Sequence, residues 1–382
     1  MRLFALAGLL AASALVATGA PKTPIIEKVT VGQLQQTLAT SPGKPDAELA
    51  QELSTLELTE RLNSVLLTKL TAGVPGEKSR QELLLLADKS AFLEPPAAEI
   101  PSDSTPDPAA TRQMLVNIVN YVNTTLRQLP NLIASRETTG FEDRPQEDSL
   151  EATGIVSYSY QPLHFVGKSL ATVTYRDRKE VVDADITRST KQRSKISGLT
   201  TTGEFGPILS TTLSDALKGK ITWARWEQNT SGKVAVFRYA VPDEKSNYRV
   251  QFCCVVNGFN SDKTPDLQIF DEKSAYHGEV AFDPSDGTII RMTLQAELPP
   301  HGLVSNAGLL VEYAPVEIAG KSYVCPARSI SVLSAHTAQS HGMYSKANYQ
   351  GSSKTFLNDV VFGQYRRFGS EARIVAVEDQ TP

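Results

Sequence analysis

The sequence predicts an α+β protein, with an N-terminal helical bundle followed by a large, curved, mostly antiparallel β-sheet that one helix interrupts. Two observations carry this. Apolar residues recur every three or four positions up to about residue 135, and every second position from about Ile155; these are the periods of a helix face and a strand face. The apolar runs after Ile155 are also separated by short turn-forming segments, which join neighbouring strands antiparallel. A chain of 382 residues with 41% hydrophobic and 21% charged residues is ordinary for a globular protein, and excludes collagen-like, coiled-coil and wholly disordered classes. Its formal net charge of −4 argues against a nucleic-acid partner.

The first element is an address. Met1-Arg2 places a positive charge before Leu3 to Val16, an apolar stretch broken only by Ser13, and the small residues Ala17-Thr18-Gly19-Ala20 follow. Such a stretch matches a secretory signal and is too short to cross ~30 Å of hydrocarbon. Residues 1–19 are therefore expected to be a cleaved signal peptide. The remainder is expected to be exported, periplasmic or extracellular, and soluble.

Residues 20–135 are expected to form a helical domain. Thr30 precedes the stripe Val31, Leu34, Leu38, with Gln33 placed for a capping box. Asp46 is a cap for a second helix carrying Leu49, Leu53 and Leu56. Thr59 is a cap for a third, with Leu62, Leu66 and Leu70, ending at Gly73. A fourth runs from about Glu77 to Pro95, and a fifth carries Met114, Ile118 and Tyr121. A linker is expected over 136–154, the sheet domain over 155–377 and a disordered tail over 378–382.

In the sheet domain, turns are expected at Asp177-Arg178, at Asn229 to Gly232, at Asp283-Pro284-Ser285-Asp286-Gly287 and at Ala319-Gly320, each between two strands; Pro and Gly sit where tight turns want them. A last strand is expected over Phe356 to Phe368. The interrupting helix spans Pro207 to Leu217. Trp223 and Trp226, three apart on a strand, are expected to face opposite ways.

The chain has three cysteines, so at most one internal bridge. Adjacent Cys253 and Cys254 point to opposite strand faces and are poorly placed to bond each other. The expected bridge is Cys325 with Cys254 or Cys253, three buried thiols being the alternative. No zinc-ligand spacing is present. The sequence also lacks the nucleophile elbow Gly-x-Ser-x-Gly, His-Glu-x-x-His, a phosphate-cradling Gly-x-x-x-x-Gly-Lys and Cys-x-x-Cys. His277 and Glu279 share a strand face, which is read as a solvated sheet face rather than a catalytic pair. No catalytic residue, metal or cofactor is expected.

Tyr276-His277-Gly278-Glu279-Val280-Ala281-Phe282-Asp283-Pro284 with Gly287-Thr288-Ile289-Ile290-Arg291 resembles the strand, Asp-Pro-x-x-Gly turn and strand unit of lipoprotein-carrier-like proteins, which sort outer-membrane lipoproteins. The resemblance implies an open half-barrel lined by apolar side chains, plugged by helices and able to carry acyl chains. This chain departs from the simple carriers in its leading helical region. It is also similar to a group of uncharacterised secreted bacterial proteins through Leu56-Glu57-Leu58-Thr59-Glu60-Arg61-Leu62, Gly203-Glu204-Phe205-Gly206-Pro207 and Val311-Glu312-Tyr313-Ala314-Pro315-Val316-Glu317-Ile318. That similarity implies architecture and no activity.

The expected function is that of an exported, non-enzymatic protein binding an apolar ligand, an acyl chain or lipid, in the curved sheet. The expected lining is the apolar alternate set Trp223, Val236, Phe252, Ile290, Met292 and Leu294. The alternative is an envelope protein–protein interaction module, in which the helical domain meets a partner and the sheet is a filled scaffold.

Overall fold

The computed structural model describes residues 26–124, 126–151, 154–183, 197–199, 201, 203–229, 232–259, 265–336 and 353–368. The expected signal peptide, the C-terminal tail and a strand near residues 373–377 lie outside them. The first elements are β1 (Glu27–Val29), α1 (Val31–Ala39), α2 (Asp46–Leu53), β2 (Leu56–Leu58), α3 (Ser64–Gly73), α4 (Glu77–Lys89) and α5 (Pro108–Thr124). Then come β3 (Leu132–Arg144), β4 (Glu147–Glu151), β5 (Gly154–Tyr158), β6 (Gln161–Arg176), β7 (Lys179–Asp183) and α6 (Pro207–Lys218). The remaining strands are β8 (Lys220–Asn229), β9 (Gly232–Val241), β10 (Arg249–Phe259), β11 (Pro265–Lys273), β12 (Tyr276–Phe282), β13 (Ile289–Ala296), β14 (Val304–Ile318), β15 (Lys321–His336) and β16 (Ser353–Arg367). The protein is thus α+β.

Local chemistry starts the helices. Thr30 accepts from the Gln33 amide and the Gln33 side chain accepts from the Thr30 amide, a complete capping box on α1. Asp46 does not cap its own helix; its carboxylate accepts from the amides of Lys78 and Ser79 at the start of α4. The third helix also differs from expectation. Leu56 to Leu58 form β2, parallel to β1, and Asn63 rather than Thr59 caps α3. Leu56 and Leu58 face the helical core at strand spacing, so the tertiary contact overrides a leucine spacing that also suits a helix. Leu34, Leu53 and Leu83 are among the residues closing this core.

Ten strands form one antiparallel sheet in the order β7-β6-β3-β16-β15-β14-β13-β12-β9-β8. The hairpin turns fall where expected. Asp177 and Arg178 take φ of 52° and 64°, the left-handed backbone that a two-residue turn between twisted strands requires. Residues 136–154, expected as a linker, are instead the greater part of β3 together with β4, and β3 lies between β6 and β16 within the sheet. Its alternation is hidden in the sequence because Arg136, Thr139 and Asp143 are buried polar residues.

The cross-strand row Phe237, Val280, Met292, Val311, Ser329, Val360 defines one face of the sheet, here called inner. Three parts of the chain cover it. Met114, Ile118 and Tyr121 of α5 pack with Leu209 and Leu213 of α6 over Phe237, Met292 and Val311. Val250 and Phe252 of the β10–β11 hairpin, with Phe270, cover Leu333 and Phe356. Phe205 covers Leu132, Tyr175 and Phe362. Each such side chain taken from water contributes ~1.5–3 kcal/mol. Gly287 fits α5 to the sheet: at φ 79° a Cβ would lie 2.4 Å from the backbone of Asn117, whose side chain donates to the Pro284 carbonyl at 3.1 Å.

The outer face carries the row Ala281, Arg291, Glu312, Arg328, Val361, Glu137. The helical region covers part of it. Leu85 of α4 meets Phe141 and Leu357, and Ala91 meets Leu310 and Ile330. Helical elements therefore lie on both faces of the sheet.

Candidate functional site

The six residues expected to line an apolar cavity are not brought together. Met292 and Trp223 belong to the inner-face core beneath α5 and α6. Leu294 joins Tyr239 and Tyr276 near Ala216, and Phe252 belongs to the β10–β11 hairpin, packed on Leu333 and Phe356. Val236 and Ile290 pack with Val234 and Ala281 on the outer face. Ile290 leaves its expected face because the register shifts between Ala281 and Phe282, which pair with Arg291 and Ile289; a bulge inserts one residue and breaks the alternation. A second bulge, between Trp223 and Arg225, corrects the tryptophans. Their rings lie 4.6 Å apart, centroid to centroid, on the same side of the strand.

The Cys325 bridge is not formed. Cys325 is a free, buried thiol, while Cys253 is disulfide-bonded. Strict alternation fails here too, because the register of β10 shifts between Cys253 and Val255. The side chain of Cys254 lies outside the described residues. Burial pushes the Cys325 thiol up to about 12, so it stays protonated and unreactive.

What the sequence reading missed is a set of charged residues on the outer face where the helical region meets the sheet. The Leu56 to Leu62 segment positions the first of them. Thr59 donates its amide to the Val29 carbonyl, Glu60 accepts from the Val31 amide at 2.7 Å, and the Arg61 amide donates to the Glu94 carbonyl at 2.8 Å. Arg61 is thereby aimed at Glu227 on β8, which also accepts from Arg225 and Arg291. Burial pushes the Glu227 carboxyl up, but Arg291, Arg61 and Arg225 outweigh it and hold it at about 2. Arg225 forms a two-bond fork with Glu279, both bonds 2.7 Å, and reaches Glu94 at 2.9 Å. Arg238 bonds Glu279 at 2.9 Å and Glu94.

Beside this network opens a cleft of about 360 Å³. The turn after α4 (Phe92, Glu94) forms one wall, and the other is the outward residues Lys220, Arg238, His277 and Gln295 of four strands. Gly278 lies at its base. Here the absence of a Cβ is required, because one would sit 2.0 Å from the Thr293 carbonyl and 2.7 Å from the Tyr239 hydroxyl. His277 and Glu279 do share this face, but His277 approaches Glu297 at 3.3 Å and Glu279 serves the arginines. The cleft thus offers charged donors and a short apolar wall; no nucleophile–base pair is seen in it among the described residues.

Two further charged clusters are buried. Arg328 bonds Asp88 of α4 and Asp359 of β16 at the outer face; burial, then the neighbouring Asp359, raises the Asp88 carboxyl well above its usual range. On the inner face the Gly203 to Pro207 segment places Glu204 close to Thr201, Ser329 and Arg136. Glu180 accepts from the amides of Gly203 and Phe205. Burial, then Glu204, pushes it up to about 8. Among the described residues no group of three His, Cys, Asp or Glu is placed to hold a metal ion, and no helix is long and apolar enough to cross a membrane.

No family profile, curated protein or solved structure matches the chain.

Proposed function

We propose that the protein is an exported, non-enzymatic binding protein: a filled half-barrel serves as scaffold, and the junction between helical bundle and sheet meets an envelope partner. One observation carries this reading. The inner face is occupied by the chain's own α5, α6 and β10–β11, whereas the cleft of about 360 Å³ opens between the turn after α4 and the outer face. A partner therefore finds its relief at the junction. The test is site-specific photo-cross-linking in the envelope of expressing cells. A photoreactive residue at 93, on the cleft, should capture a discrete partner; one at the exposed outer-face position 361 should not. Equal capture from both positions, or none from 93, removes this reading.

A second reading, an acyl chain held on the inner face, is favoured by the way α6 is seated. Gly206, at φ 139°, precedes it, and the Tyr313 hydroxyl in the core beneath it is buried without a hydrogen-bond partner. A helix seated over an incompletely satisfied group is a candidate for displacement by a ligand. Native mass spectrometry after gentle purification separates the two readings: a bare protein mass supports the filled scaffold, and a stoichiometric lipid adduct supports the carrier.

A further inference from the structure

We propose that the junction cleft is an anion site, built for a carboxylate or phosphate group on the partner's chain, and that Glu94 occupies it as an internal stand-in. The proposal rests on the cleft being the binding surface and adds the chemistry it selects.

The carboxylates that touch Arg225 and Arg238 differ in how they are held. Glu227 and Glu279 belong to sheet strands, with side chains 6% and 18% exposed. Glu94 comes from the turn after α4, and its side chain is 59% exposed. Only Glu94 approaches the two guanidiniums from the solvent side, where an external anion would arrive. Guanidinium forks match the planar carboxylate and the phosphate oxygens geometrically. Lys220 adds a third cation to the cleft wall and makes no ion pair among the described residues. With Glu94 withdrawn, Arg238 at the cleft wall keeps Glu279 as its remaining carboxylate, and Lys220 stands beside it. The cleft volume of about 360 Å³ suits an anionic group with a small attached body. Phe92 supplies apolar wall for that body.

Glu94 also predicts how the site behaves. A tethered carboxylate competes at an effective concentration of ~mM, so the wild-type protein binds a free anion weakly and removal of Glu94 exposes the site. The mainly exposed Glu94 side chain makes Glu94→Ala compatible with folding, and Glu94→Gln provides a second variant of similar shape.

Two probes are titrated by calorimetry into the full chain: inorganic phosphate and an N-acetylated amino acid with a free carboxylate. Glu94→Ala is expected to bind at least one of them about tenfold or more tightly than wild type. Adding Arg238→Ala or Lys220→Ala should reverse the gain, and raised salt should weaken binding; which probe binds tells carboxylate from phosphate. No saturable binding of either probe by Glu94→Ala and Glu94→Gln overturns the proposal, as does binding that survives Arg238→Ala. If position 93 still captures a partner while both probes fail, the anion assignment alone is lost. If capture fails as well, the junction itself is not the binding surface.

Discussion

Arg61 and Glu227 meet at 2.9 Å across the boundary between the helical region and the sheet, each side chain only 6% exposed. They are 166 residues apart in sequence, and the bond brings a charge from the helical region into a carboxylate already shared by two sheet arginines. Burying ions is costly, so such a junction holds only when each charge is matched.

The roles of the two residues are unequal, and the inequality is measurable. Glu227→Ala strips a carboxylate from Arg61, Arg225 and Arg291 together, and is expected to cost ~3–5 kcal/mol, as removal of one partner from a buried pair does. Arg61→Ala leaves Glu227 with two arginines and should cost clearly less. Urea unfolding of both variants decides it; equal losses would show that the three arginines do not share one carboxylate.

Two carboxylates set opposite pH trends. Glu227 is held at about 2, below its ordinary 4.5, so its contribution is present above pH 4.5 and is lost as pH falls toward 2. Glu180 is pushed up to about 8 from 4.5. Between those values the native state binds more protons than the unfolded chain, so stability from this group is full below pH 4.5 and declines as pH rises through 8. Thermal melts from pH 5 to 9 should show the wild type losing stability with rising pH, and Glu180→Gln showing a flatter profile. An unchanged slope in the variant would assign the decline elsewhere.

Cys325 should be silent toward thiol reagents in the native protein at pH 8, because the thiol is fully buried and protonated there. Maleimide labelling read by peptide mass spectrometry is expected to modify it only after denaturation. Labelling at native rates comparable to a free peptide thiol would contradict its placement against Val360 and Phe362.

Gly278→Ala forces a methyl to within 2.0 Å of the Thr293 carbonyl and 2.7 Å of the Tyr239 hydroxyl. Because backbone is one of the two obstacles, no side-chain rotation relieves it, and a loss of ~1–3 kcal/mol or more is expected. Denaturant unfolding checks this, with Gly320→Ala, where nothing lies within 4 Å, as the comparison for backbone strain without a clash.

Elements whose signal is local were legible. The capping box of Thr30 and Gln33, the apolar stripe of α5, the turn at Asp177-Arg178 and the Asp283 to Gly287 turn all lie where their residues place them. Less legible was β3, where buried Arg136 and Asp143 interrupt an apolar alternation. The charged site was not legible either. Arg225, Glu227, Glu279 and Arg291 have the spacing of a solvated strand face, and nothing in that spacing tells that Arg61 and Glu94 cover them. Two bulges also moved Ile290 and Trp226 to faces that a strict period of two does not assign.

By itself, the sequence determined the α+β class, the change of period between its two parts and most of the tight turns, because capping, backbone φ preference and side-chain alternation act within a few residues. Only the tertiary structure decided what fills the inner face and which charges are buried on the outer one. Those outcomes depend on registers, bulges and contacts between residues as far apart as Arg61 and Glu227, and a buried ion is stable only once a distant counter-ion has been folded onto it.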